Sequence, residues 1–294
     1  IPGYTWIVVT QLILGGLAIL FMDEVCSKWG FGSGVSLFIA AGVSQQIFIA
    51  TFSPLTTAGT WAFGTGQAPV GKLWVLFQSL MLRNPTGAAL ALAAILSTVI
   101  VFVISVYAQS MKVEIPLSFG RIRGHGIRWP LRFLYTSNIP VILTAALMAN
   151  IQLWARLLQN WGHPILGTFS GNAPASGLVK WIASPDIVRS LVIGTATGEM
   201  IIQTVVYSTV MILGAILFSV LWVKTANMDA RAQAKQILSS GLQIPGFRRD
   251  PRVLESVLNR YIPALTVMGG AMVGFLAAAA DLSGALSRGT GILL

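Results

Sequence analysis

The sequence predicts an all-α fold: a multi-pass transmembrane helix bundle with six spans, the start of a seventh, and a small hairpin in one polar connection. Three observations carry this. Six uncharged or nearly uncharged apolar runs approach or exceed the ~20 residues that a helix needs to cross the hydrocarbon of a bilayer. The 294 residues are 55% hydrophobic and 10% charged, whereas a soluble domain of this size carries about 25% charge. The positive charge is concentrated: of 19 Lys and Arg, five lie in 109–135 and seven in 224–260.

The spans are read, in order, at 4–22, 34–53, 88–108, 136–157, 190–222 and 261–280, forming one membrane domain over 1–294. The third carries no charge. The second holds Ser36, Ser44, Gln45 and Gln46, which are costly against lipid, so it is expected inside the bundle or beside water. The fifth is too long for one perpendicular crossing, and its first part is expected to lie outside or tilted. A seventh begins near Arg288. The chain opens at Ile1 and stops in an apolar run at Leu294, which reads as a fragment of a longer membrane protein.

The connections complete the topology. Two crossings separate 109–135 from 224–260, so both basic connections share a side. Lys and Arg mark the cytoplasmic side, which puts the start of the chain outside and the short 23–33 connection inside. The outer connections, 54–87 and 158–189, hold Gly, Pro, Ser and Thr clusters that read as turns. Trp154, Trp161, Trp181 and Trp222 fall near span ends, where interfacial aromatics gather. In 109–135 apolar flanks run toward RIRGHG, a hairpin presenting arginines. In 224–260 an amphipathic, helix-prone stretch (MDARAQAKQILSSG) precedes IPGFRRDP, where Pro245, Gly246 and Pro251 are read as helix breakers that leave Arg248 and Arg249 on a turn.

The chemistry of an enzyme is not visible. The two histidines, His125 and His163, fall on opposite sides of the membrane in this topology. No metalloprotease, phosphate-loop or serine-hydrolase motif occurs, and a single cysteine, Cys26, excludes an intrachain disulfide or Cys-based metal cluster. No cofactor is implied. The carboxylates read as scattered in connections, except Glu199 in an apolar run. An acid there is a candidate for ion coupling, though a place at the outer end, reaching water, is the favoured reading. A solute transporter remains the alternative function: it requires a polar midplane site on broken helices, and the second span, with Gly42 and Gln45, could bend to supply one. A membrane scaffold is a third reading, one that leaves the arginine tips unexplained.

Four segments resemble the SecY family, the alpha subunit of the protein translocase. GFGSGVSLFIAAGVSQQIF (31–48) looks like its fifth transmembrane helix and SNIPVILTAALMAN (137–150) its seventh. IPGFRRDP (244–251) looks like the tip between the eighth and ninth, and RGTGILL (288–294) the start of the tenth. The likeness is to the archaeal form, from about the fourth helix onward. It implies the central channel-forming subunit of a translocase in the cell membrane, passing unfolded secretory polypeptides and releasing apolar segments sideways into lipid. Implied partners are the small SecE-type (gamma) and beta subunits, the ribosome with its RNA phosphates, signal sequences and nascent chains, and membrane lipid. The resemblance also assigns residues. Val35, Ile39, Ile142 and Leu294 match an aliphatic pore ring, and Val35 and Ile39, at i and i+4, share one helix face. Asn150 matches a polar patch at the lateral gate; bonding of this Asn to backbone or water at a helix end is the equal alternative. Arg121, Arg123, Arg248 and Arg249 match the ribosome-docking tips, with Arg248 foremost in the PGxR motif.

Overall fold

The computed structural model describes residues 5–30, 34–62, 67–119, 126–171, 173–240, 242–243 and 250–293. Among these, six helices are long and apolar enough to cross a membrane. The chain is a multi-pass helix bundle with a small sheet at one end.

Helix α1 (Thr5–Trp29) and helix α2 (Gly34–Phe52) form a hairpin. α1 runs seven residues beyond the predicted span end, so most of the expected 23–33 connection is helical. The cause is local: Lys28 and Glu24, one turn apart, pair at 2.6 Å, and such pairs support a helix. Asp23 Oδ1 accepts the Val35 N–H at 2.9 Å. α2 is unbroken through Gly42, so it is not the broken helix that a transporter's midplane site requires. Its Ser44, Gln45 and Gln46 are exposed, so the expected place inside the bundle is not found within this chain.

The outer connection 54–87 is more ordered than its turn-rich composition suggested. It contains helix α3 (Lys72–Met81), which packs on helix α4 (Pro85–Ser110). α4 starts where Asn84 accepts the Gly87 N–H at 3.2 Å and Pro85 follows the cap, a position that proline tolerates because its missing donor would be unpaired there. Next come strands β1 (Lys112–Phe119) and β2 (Gly126–Arg132), antiparallel from Lys112 opposite Arg132 to Ser118 opposite Gly126. This is the expected hairpin.

Helix α5 (Ile139–Asn160) leads to a two-residue strand pair, β3 (Phe169–Ser170) and β4 (Ala173–Pro174), then helices α6 (Leu178–Trp181) and α7 (Ile187–Ile193). The long run 190–222 breaks at Gly194, which has φ 78°, and helix α8 (Gly198–Thr225) follows. Helix α9 (Ala230–Ser239) and strand β5 (Leu242–Gln243) precede helix α10 (Pro251–Leu282), and helix α11 (Gly289–Ile292) ends the described chain. Pro251 is not a breaker: it occupies the start of α10, where Asp250 Oδ1 accepts the Arg252 N–H at 2.9 Å. α10 therefore begins ten residues before the predicted span.

The core lies between α8 and α10, which approach closely because the facing residues are small. A Cβ on Gly274 would lie 2.9 Å from Ala215 Cβ and from Ile212 Cα, and one on Gly270 2.9 Å from Ser219 Cβ. Small faces let membrane helices come together and bond across the contact. Here Ser219 Oγ donates to Thr266 O at 2.9 Å and meets Thr136 Oγ1 at 2.8 Å. Met211, Val273, Leu276 and Val141 are buried around this seam.

Candidate functional site

Two regions collect the residues that the sequence singled out. The first is the wall formed by α2, α5 and α11. Gly34 is buried and lets α2 begin against α1: a Cβ there would lie 2.9 Å from Asp23 Cα. That contact, with the Asp23–Val35 bond, fixes the rotation of α2 and so the face bearing Val35 and Ile39. Both are partly exposed, at 40% and 36%, so neither belongs to the packed core of this chain. Val43, one turn beyond Ile39, faces α11, where a Cβ on Gly291 would lie 3.0 Å from Val43 Cγ2. α5 reaches the same element. The buried Asn138 amide and the Gln109 amide both donate to Leu293 O, the latter at 3.4 Å. Val141 points into the core with no exposure, and the next residue, Ile142, is half-buried. The C-terminal end of α11 is thus held by α2, α4 and α5 together. Leu294 lies outside the described residues.

Asn150 is exposed in the middle of α5, and its amide donates to Ala146 O at 2.9 Å. The backbone partner fits the plainer of the two readings, although the residue is not at a helix end. Glu199 lies in the first turn of α8, with its side chain 60% exposed and 2.6 Å from Lys180 Nζ. Gln203 Nε2 donates to Lys180 O at 2.8 Å. Glu199 anchors the α6 turn to α8; it is not an isolated buried acid.

Sequence reasoning missed a different acid. Asp281, in the last turn of α10, accepts the Tyr207 hydroxyl at Oδ2 and the Gly289 N–H at Oδ1, both at 2.7 Å. The signal available was an Asp one residue past the predicted span, shortly before the glycines at 289 and 291.

The second region is the end of the bundle that carries the basic connections. The hairpin and the 224–260 connection were read as separate presenters. They form one unit: β1 also pairs with β5, Ser118 opposite Gln243 and Phe119 opposite Leu242, in a sheet of order β2-β1-β5. Ile115 and Leu131 pack with Ala234 and Ile237 of α9 and with Leu254 and Leu258 of α10. Asp229 Oδ1 accepts the Ala232 N–H at 3.3 Å to cap α9. The Tyr135 hydroxyl donates to Met228 O at 2.6 Å. Burial, then the nearby Asp229 charge, pushes its pKa up to about 12. On the hairpin, Arg128 lies 3.1 Å and Lys112 3.2 Å from the Glu114 carboxylate, and these two cations hold its pKa below the ordinary carboxylate value. Arg121, Arg123, Arg248 and Arg249 lie outside the described residues; the strands that lead to them, β1 and β5, are hydrogen-bonded neighbours.

The model of the SecY family matches residues 2–294. The protein translocase subunit SecY of Methanothermobacter thermautotrophicus is 44% identical over 297 residues, covering 100% of this chain and 63% of the relative. That of Pyrococcus furiosus is 45% identical, covering 98% and 62%. This chain therefore spans less than two thirds of the length of these relatives. A solved SecY structure, studied for the plug domain that stabilises its closed state, superposes with a TM-score of 0.78 at 42% identity, covering 98% of this chain and 62% of that one. The yeast Ssh1 complex bound to the yeast 80S ribosome contains a chain with a TM-score of 0.69 at 20% identity, covering 100% and 63%, a likeness of fold alone. By the length and identity of these matches, the chain belongs to the SecY family.

Proposed function

We propose that this chain forms the larger part of a protein-conducting channel, passing unfolded polypeptides across a cell membrane and releasing apolar segments into lipid. The observation that carries the reading is the gathering of α2, α5 and α11 at residues 289–293, through the amides of Asn138 and Gln109 and the close approach of Gly291 to Val43. It supports a common wall bearing Val35, Ile39 and Ile142, with Leu294 following at the start of the tenth helix. An aliphatic constriction offers no polar group to a passing ion and can dewet. It also yields to a peptide without selecting its sequence. The chain acts as a conduit and performs no catalysis of its own. Asn150 belongs to the lateral exit on this reading.

The topology that goes with it puts the shared basic sheet in the cytoplasm and the N-terminal end of α1 outside, by the distribution of Lys and Arg. SecE-type and beta subunits are the expected membrane partners. The arginine tips, joined to paired strands of one sheet, are the expected contact for the ribosome. The test replaces Ile39 or Ile142 with Asn in the full-length protein, reconstituted in vesicles. A polar ring holds water where an aliphatic one excludes it, so ion leak and export of substrates with poor signal sequences should both rise. Unchanged leak and export in both variants would remove these residues from a pore.

A further inference from the structure

At the end of the bundle away from the basic sheet, α3, α4, α7 and the segment after α10 enclose a cavity of about 370 Å³. Its lining is graded. Asp186 and Arg189 are exposed and Lys72 is half-buried, while Ala91 and Ala94 are 1% and 7% exposed, with Leu90 beside them. α4 starts at Pro85 and rises 1.5 Å per residue, so the apolar wall lies about 8–14 Å along the helix from its start. The polar end of the cavity is at the bundle surface and the apolar end within the span.

The charges are unspent. No ion pair joins Lys72 or Arg189 to a carboxylate among the described residues, whereas Lys180, at the same end, is matched with Glu199. Lys72 occupies the first turn of α3, which contains no acid, and the positive end of a helix dipole disfavours a cation there. Asp186 precedes α7 without a side-chain capping bond, so its carboxylate is not committed to that helix. Two cations and one acid leave the cavity a net charge of +1, the complement of a single phosphodiester.

We propose that this cavity binds an anionic glycerophospholipid. The phosphodiester sits between Lys72 and Arg189, a head-group hydroxyl donates to Asp186, and an acyl chain lies against the half-buried Val75 and Leu90. Charge-assisted bonds to phosphate are the strong ones, and the apolar wall adds burial that a free anion cannot use. The proposal does not depend on which leaflet this end faces.

The test uses the full-length protein, delipidated in a neutral detergent and titrated with dioleoylphosphatidylglycerol under native mass spectrometry. The wild type should retain one lipid that the Lys72→Ala/Arg189→Ala variant binds at least tenfold more weakly. Lys180→Ala, which removes a paired cation at the same end, should bind as the wild type does. If the double variant does not fold, Lys72→Gln and Arg189→Gln are read singly, each expected to lose at least threefold. Inorganic phosphate at millimolar concentration should not displace the lipid. Equal affinity in wild type and cavity variants, equal loss in Lys180→Ala, or displacement by phosphate would each overturn the proposal.

Discussion

Tyr207 donates its hydroxyl to Asp281 Oδ2 at 2.7 Å, and the other carboxylate oxygen holds the Gly289 N–H at the same distance. One side chain thus joins α8, α10 and the turn into α11. The close approach of Gly289 to Ala277 O, where any Cβ would overlap that carbonyl, needs this turn in place. The wall described above depends on it, because Gly291 and Leu293 follow within the same short element.

Hydrogen bonds to a charged group contribute about 1.5–3 kcal/mol each. Tyr207→Phe should therefore lower the thermal unfolding temperature of the full-length protein, and Asp281→Ala, which loses both bonds, should lower it further. A Tyr207→Phe protein that melts with the wild type would show that the clamp contributes nothing to stability.

Between α8 and α10, Gly274 should tolerate no larger residue. Its Cβ would press on backbone at Ile212 as well as on Ala215, and backbone cannot rotate away. Gly274→Val should cost about 1–3 kcal/mol by overpacking. Gly42, whose Cβ position is open, should accept Ala without loss. Melting temperatures of the two variants check the contrast. Equal behaviour would mean that the seam is looser than its distances indicate.

Tyr135 supplies a pH signature. Its folded pKa, about 12, stands above the ordinary phenol value of 10.0. A raised pKa means that the neutral form is favoured by folding, so this contribution is fully present below pH 10 and is lost as pH rises through 12. The ultraviolet difference between wild type and Tyr135→Phe should show a phenol titrating near pH 12. Replacing Asp229 by Asn should move it downward by removing the neighbouring charge. A titration at the ordinary value would contradict the burial of this hydroxyl and its bond to Met228.

The spans were legible because lipid imposes length and apolarity on every crossing helix. Helix ends were less so. The helical part of 23–29 was hidden by three charges that one i,i+4 pair accommodates, and Pro251 was read as a stop although proline also starts helices. α3 was too short and too apolar to separate from its turn-rich surroundings. Val35, Ile39 and Ile142 could be named only through family resemblance, since an aliphatic residue in a span is ordinarily a packing residue. The carboxylate clamp at Asp281 lay one residue beyond the expected span and depends on a partner 74 positions away. β5 was least visible: two residues pairing with a strand far back in the chain leave no local pattern.

That pairing changes what should be expected of the arginine tips. Because β1 pairs directly with β5, the segments holding Arg123 and Arg248 are both joined to one sheet. If the arginines of these segments meet RNA phosphates, affinity falls with salt through counterion release, and each lost contact flattens the slope of log affinity against log salt by about 0.7–0.9. Arg123→Glu and Arg248→Glu should each weaken ribosome binding, and together they should deviate from the sum of their separate effects, as neighbouring sites do. Insertion should survive, because Lys112, Arg132, Lys224 and Arg260 remain near the span ends to hold orientation. Ribosome co-sedimentation over a salt series, wild type against both single variants and the double, reads affinity, slope and coupling together. Unchanged slopes would leave the arginines with orientation alone. Strictly additive losses would mean that the two tips act apart despite their shared sheet.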